Sequence, residues 1–134
     1  MDPQPEVLTE KPLVVTRGVQ LLILALLIGL IRAFVSAARA ASGKTLFVAL
    51  VIVTIFFAVM FFLVWQISSR RNWARFVLLV LIVIGLPFVV PAYILELRRS
   101  LPGGLLSIFL ATLQIVGVIL LFLPKANLWF RNRT

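Results

Sequence analysis

Two long uncharged segments, joined by a short basic turn, constrain the fold of this chain more than any other feature of its sequence. The segments cover residues 45–67 and 76–95, and each contains about 20 or more residues without a charge. A helix of that length crosses the hydrocarbon core of a bilayer, which is about 30 Å thick. Because the turn at residues 68–75 is too short to contain a domain, the two segments must return antiparallel as a membrane hairpin.

The composition of the chain also indicates a membrane protein. It is 63% hydrophobic and 13% charged, with a mean hydropathy of +1.18, whereas soluble domains are about 45–50% apolar. A net charge of +9 would suggest nucleic-acid binding in a soluble protein. Here the basic residues stand at the ends of apolar segments, where Lys and Arg meet anionic lipid headgroups. We therefore expect membrane lipids as partners, and no nucleic acid.

The residue inventory argues against catalysis. The chain contains no cysteine and no histidine, and Glu96 is the one acidic residue outside residues 1–12. Thiolate nucleophiles, imidazole ligands, the usual general base and a pair of acidic groups are therefore missing from the apolar part of the chain. The sequence predicts that the protein is not an enzyme and has neither a cofactor nor a metal site.

The N-terminal third contains an acidic leader and an untidy first span. Residues 1–12 hold three of the four acids and three prolines, which predicts a flexible tail. The first span, at about residues 13–37, includes Arg17 and Arg32, whose long side chains can reach the interface. A secretory signal with a small-residue cleavage site near residues 35–40 is an alternative interpretation. Against it, Arg32 separates the apolar core from that site.

The remaining spans complete a single domain at residues 13–130, with spans at about 13–37, 45–67, 74–95 and 104–123 and a basic tail at 124–134. Pro87 and Pro91 lie inside the third span, and each removes a backbone hydrogen bond, which predicts a kink. The predicted fold is therefore all-α: four transmembrane helices in an antiparallel up-down bundle, with the third helix kinked at Pro87/Pro91.

Small and polar residues predict where helices pack together. Ala25, Gly29 and Ala33 recur four residues apart, and small residues let helix backbones approach closely in lipid. Gln114, at the middle of the fourth span, is expected to bond to Thr54 or to a carbonyl near Pro87. The predicted helix-packing residues are Gly18, Ala25, Gly29, Ala33, Gln114 and Gly117.

Arginine and aromatic residues at the span ends predict interface anchors, because both residue types favour headgroup depth. These predicted anchors are Arg71, Trp73, Arg75, Tyr93, Trp129 and Arg131. We also expect Asn72 to cap the third helix and Glu96 to pair locally with Arg99.

The distribution of positive charge predicts the orientation. With four spans, eight basic residues fall on the side of both termini and five on the other. The positive-inside rule then predicts cytoplasmic termini. The eight are Lys11, Arg17, Arg70, Arg71, Arg75, Lys125, Arg131 and Arg133.

The second half of the chain resembles a group of small bacterial membrane proteins of unknown function. These proteins share an Asn-Trp-Ala-Arg hairpin, a later Ser/Leu-Pro turn, a Gln-bearing last span and a terminal Trp-Phe. The matching residues here are 65–67, 71–75, 100–102, 113–114 and 128–131. The resemblance implies a bacterial inner membrane and four helices, and it implies no activity. Where that group often has Gly directly before the Arg-Asn-Trp run, this chain has Arg70.

Two functions fit these observations. The first is a non-catalytic membrane protein that forms a homo-oligomer or serves as an accessory subunit of a larger membrane complex. The alternative is a small transporter or channel that uses Gln114 and the Pro87/Pro91 break, with Arg32 as further support, since interrupted helices form substrate sites in transporters.

Overall fold

The computed structural model describes residues 10–131, which contain five helices. Their bounds are α1 (Leu13–Ala40), α2 (Gly43–Ser68), α3 (Asn72–Arg99), α4 (Leu101–Phe122) and α5 (Pro124–Arg131). Helices α1 to α4 are each long and apolar enough to cross a membrane. Residues 1–9 of the predicted N-terminal tail and residues 132–134 of the predicted C-terminal tail lie outside the described part of the chain.

The four long helices form an antiparallel bundle, as predicted. Helix α1 packs against α2 and α4, and α3 packs against the same two neighbours, so the four helices close into a ring. The connections are one to three residues long, which forces consecutive helices to run in opposite directions. We call the end where α1 begins and α4 finishes the terminal end, and the opposite end the open end.

The apolar core lies at the terminal end. Buried residues of α1 cluster in its first half, between Val15 and Leu26, and those of α2 all lie at or beyond Met60. Helix α3 buries Ala74, Arg75 and Leu78 near its start. Toward the open end, α2 and α3 keep most of their apolar side chains exposed. The apolar core therefore lies toward the terminal end, while α4 also buries Gly104, Ser107 and Leu110 near the open end.

Two glycines allow the closest helix contact, between α1 and α4. A Cβ added at Gly18 would lie 2.9 Å from the Gly117 carbonyl oxygen, and one added at Gly117 would lie 3.1 Å from the Gly18 oxygen. A Cβ at Gly18 would force the backbones apart and one at Gly117 would be tightly packed, so the two glycines permit this close crossing. Gly104 plays a similar part beside Leu97 of α3, whose Cα would be 2.5 Å from an added Cβ.

The turn between α2 and α3 depends on Arg70, which adopts a left-handed conformation with φ of 65°. The Arg71 amide donates to Gln66 O at 2.9 Å and the Arg70 amide to Ile67 O at 3.0 Å, so the last carbonyls of α2 are satisfied. The predicted capping role of Asn72 is wrong. Asn72 is already the first helical residue, and the N-cap is Arg71, with no side-chain capping bond.

Two predictions concern the last third of the chain, the kink in the third helix and the basic C-terminal tail. Helix α3 continues through Pro87 and Pro91, and the kink stays a prediction. The predicted basic tail instead contains α5, which starts at a proline, as helices often do, and buries Ala126, Trp129 and Phe130.

Candidate functional site

The structure places a polar cluster between three spans near the open end. The Arg32 guanidinium of α1 donates to the Glu96 carboxylate of α3 and, at 2.7 Å, to the Ser107 hydroxyl of α4. The Ser107 hydroxyl in turn donates to Glu96, with the Gly103 carbonyl one turn back at 3.1 Å. We refer to Arg32, Glu96 and Ser107 as the open-end cluster. The cluster contains the one ion pair within residues 10–131, between Arg32 and Glu96, and it links spans that are distant in sequence.

The position of Arg32 explains why this pairing forms. Arg32 lies eight residues before the end of α1, which places it about 12 Å along the helix from Ala40. An unpaired charge is costly at such a position, and a carboxylate partner removes much of that cost. Ser107 is 1% exposed, whereas the side chains of Arg32 and Glu96 are 28% and 36% exposed. The ion pair therefore lies on the wall of an open space rather than in a sealed core.

That space is a cavity of about 410 Å³ between α1, α3 and α4. Its apolar wall consists of Ala33, Ala92 and Leu95. Its polar lining consists of Arg32, Ser36, Tyr93, Glu96, Arg99 and Ser107. Two guanidinium groups face one carboxylate, so the lining carries an excess positive charge.

The prediction that Glu96 pairs with Arg99 is wrong, because its salt-bridge partner is Arg32. Arg99 is the last residue of α3 and can be solvated without a carboxylate, whereas Arg32 stands within a span. A signal for this pairing was present in the sequence. Arg32 and the one acid outside the N-terminal segment fall at the same end of the bundle once four spans are assigned.

A second polar site surrounds Arg75 at the terminal end. Arg75 is 6% exposed, and its Nη1 donates to Leu121 O at 3.0 Å and to Asn127 Oδ1 at 2.6 Å. Three aromatic rings lie with centroids 4.6–5.1 Å from its guanidinium carbon, those of Phe76, Phe122 and Phe130. Its Nε is buried without a hydrogen-bond partner. Within the described chain, aromatic faces and the carbonyl end of α4 replace a carboxylate here.

Two further cations tie segments together at the terminal end. Arg70 Nε donates to Trp129 O at 2.6 Å, and its guanidinium carbon lies 5.2 Å from the Trp129 ring centroid. Lys11 Nζ donates to Ser68 Oγ at 2.7 Å, and burial lowers the pKa of Lys11. The Arg70 contacts join α5 to the turn after α2, and the Lys11 contact joins the segment before α1 to the last residue of α2.

The predicted helix-packing residues of α1 face the inside of the same chain. Ala25 is buried, a Cβ added at Gly29 would lie 3.5 Å from the Phe57 ring of α2, and Ala33 lines the cavity. With Gly18 at the α4 crossing, this face is occupied by contacts within one molecule. That this face of α1 also supports association between molecules stays a prediction.

Gln114 does not meet its predicted partners. It is half-buried on α4, and among residues 10–131 its side chain makes no hydrogen bond. Thr54 is exposed and donates to Leu50 O at 2.8 Å, one turn back in its own helix.

The predicted interface anchors divide into three groups. Arg71, Trp73 and Arg131 are exposed at the terminal end, where they can reach lipid headgroups. Tyr93 lines the cavity. Arg75 and Trp129 differ from the expectation because both are buried in protein contacts, which the span-end pattern alone does not distinguish from headgroup contacts.

Comparison of the chain with protein-family models, curated proteins and solved structures finds no match. The resemblance to small bacterial membrane proteins therefore stays an expectation. The protein is therefore classified as a small membrane protein with a four-span helical bundle.

Proposed function

We propose that this chain is a non-catalytic inner-membrane protein of bacteria, with cytoplasmic termini, that acts as an assembly subunit by pairing with a second copy through α3. The observation that supports this proposal is the poor coverage of α3 in the single molecule. Of its most apolar 18-residue stretch, 6% is buried, compared with 28% for α4.

The uncovered part of α3 has a surface suited to helix pairing. A Cβ added at Gly85 would meet nothing within 4 Å. Nearby, Ile84 and Phe88 are 59% and 77% exposed. Apolar area alone gives no association in lipid, where van der Waals packing of large side chains over small residues drives it. Gly85 between two bulky side chains offers that packing to a second α3.

A binding role without chemistry is supported by the residue inventory. The chain has neither histidine nor cysteine, and no three His, Cys, Asp or Glu residues within residues 10–131 form a group able to hold a metal. The excess of basic residues on the terminal side supports cytoplasmic termini.

Cysteine cross-linking in membranes tests the α3 pairing, because the natural chain contains no cysteine. Single variants Ile84→Cys and Phe88→Cys are oxidised in native vesicles, with Ile115→Cys and Ile119→Cys on exposed α4 positions as matched controls. We expect disulfide-linked dimers from the α3 variants and much less from the α4 variants. Equal yields from both helices, or monomers throughout, would contradict pairing through α3. An adduct with a larger protein instead of a dimer would identify a hetero-complex.

The transport alternative gains less support. It rests on Gln114, which is half-buried, on the proline positions and on Arg32, and of these only Arg32 lines the charged cavity. It becomes the better hypothesis if the α3 variants stay monomeric and Gln114→Leu abolishes a solute flux in proteoliposomes.

A further inference from the structure

We propose that the cavity at the open end binds the phosphate group of an anionic phospholipid. This site is independent of the α3 pairing surface proposed above. It follows from the depth of the cavity, the charge of its lining and the division of its walls into a polar and an apolar part.

The depth of the cavity matches the phosphate level of a membrane. Glu96 lies three residues before the end of α3, and Ser107 lies six residues after the start of α4, about 5 and 9 Å along the helices. The lining therefore begins at the span ends and reaches a short way toward the hydrocarbon region. Its volume of about 410 Å³ is within the range of about 300–1,000 Å³ that is usual for ligand sites.

The charge of the lining favours an anion. Glu96 neutralises Arg32 in part, and Arg99 lines the same cavity with no carboxylate partner among residues 10–131. One uncompensated positive charge remains for a ligand with one negative charge, such as a phosphodiester. Guanidinium groups bind phosphate oxygens through paired N–H donors. The hydroxyls of Ser36 and Tyr93 add two neutral donors to the same lining.

The open-end cluster keeps one of these cations in place. Arg32 is fixed by its bonds to Glu96 and Ser107, so its remaining N–H groups are presented to the cavity without the entropic cost of ordering a free side chain. In this site Glu96 is a positioning residue, and Arg99 supplies the charge that the ligand neutralises.

The apolar wall indicates a lipid rather than free phosphate. Ala33, Ala92 and Leu95 lie on the same cavity as the charged groups, and the helices beyond them are apolar. An ion in water gains nothing from such a wall, whereas the glycerol and first acyl carbons of a phospholipid can pack against it.

A lipid titration by native mass spectrometry tests the site on the full chain in detergent. Phosphatidylglycerol, phosphatidylcholine and inorganic phosphate are the three probes. The test variant is Arg99→Gln, and the matched control is Arg98→Gln, the neighbouring arginine that does not line the cavity. Both variants lose the same charge at the same helix end, and neither removes a contact of the open-end cluster.

We expect the natural chain to retain one phosphatidylglycerol in preference to phosphatidylcholine. Arg99→Gln should weaken that binding about tenfold, as the loss of one charge-assisted bond does, and Arg98→Gln should leave it within about twofold. Equal weakening by the two variants would overturn the proposal in favour of general surface attraction. Equal retention of the two lipids would also overturn it. Displacement of the lipid by millimolar inorganic phosphate would show that free phosphate is the ligand.

Discussion

Replacing Arg75 by methionine tests the most buried polar contact of the bundle. Methionine keeps much of the side-chain length but removes the charge, so Leu121 O and Asn127 Oδ1 both lose the donor at 3.0 and 2.6 Å. A hydrogen bond to a charged group contributes about 1.5–3 kcal/mol. Two such bonds, with the cation–π contacts of about 0.5–2 kcal/mol each, outweigh the relief of removing a buried charge. We expect a net loss of about 3 kcal/mol, roughly a hundredfold in the folding equilibrium.

Two companion variants separate the causes of that loss. Arg75→Lys retains the positive charge but not the planar fork of donors, so we expect it to lose about half as much stability. Arg71→Met removes an exposed arginine four residues earlier and should change stability by less than about 0.5 kcal/mol.

The assay is reversible unfolding in mixed micelles, followed by tryptophan fluorescence. Trp129 packs against Phe130, with ring centroids 4.9 Å apart, and reports directly on the docking of α5. In a Trp65→Phe, Trp73→Phe background it becomes the sole tryptophan. The reasoning would be refuted if Arg75→Met unfolded at the same denaturant concentration as its parent, or if Arg71→Met lost as much.

Two other predictions concern backbone conformation and are measured by the same unfolding assay. Gly104→Ala should lose several kcal/mol, because its Cβ would lie 2.5 Å from the Leu97 Cα, whereas Gly103→Ala meets nothing closer than 3.4 Å and should be tolerated. Comparable losses at both glycines would contradict the close approach of α3 and α4. Arg70→Gly and Arg70→Ala both lose the bond to Trp129 O, but alanine also keeps the unfavourable left-handed backbone, so it should be about 1 kcal/mol less stable than glycine. Equal stability would show that the turn relaxes.

The architecture could be predicted from the sequence because it depends on segment length and charge placement. Four long apolar stretches with short connections leave few alternatives to an antiparallel bundle. The pairing of Gly18 with Gly117 was harder to foresee. Both were recognised as small residues at packing positions, but which helix each one meets depends on the ring order of the bundle, which spacing within one helix does not specify.

The polar contacts were predicted less well, for a physical reason. Span-end arginines were assigned to lipid headgroups, and an arginine satisfies that pattern equally well when it turns toward protein. Arg75 is buried because Asn127 and the Phe130 ring of α5 lie over it, and the sequence predicts a tail where α5 forms. The cavity could not be predicted without knowing that Glu96 pairs with Arg32. The local pairing rule instead predicts that Glu96 pairs with Arg99.

The distribution of cations gives the two ends of the bundle different mechanical roles. At the terminal end, Arg75, Arg70 and Lys11 each donate to backbone or side-chain oxygens of another segment, and the apolar core lies among them. At the open end, one ion pair and a few small residues hold α1, α3 and α4 around the cavity. Since local opening occurs where buried contacts are fewest, we expect the proposed lipid site and the proposed α3 pairing surface, both outside the apolar core, to adjust to a partner more readily than the terminal end.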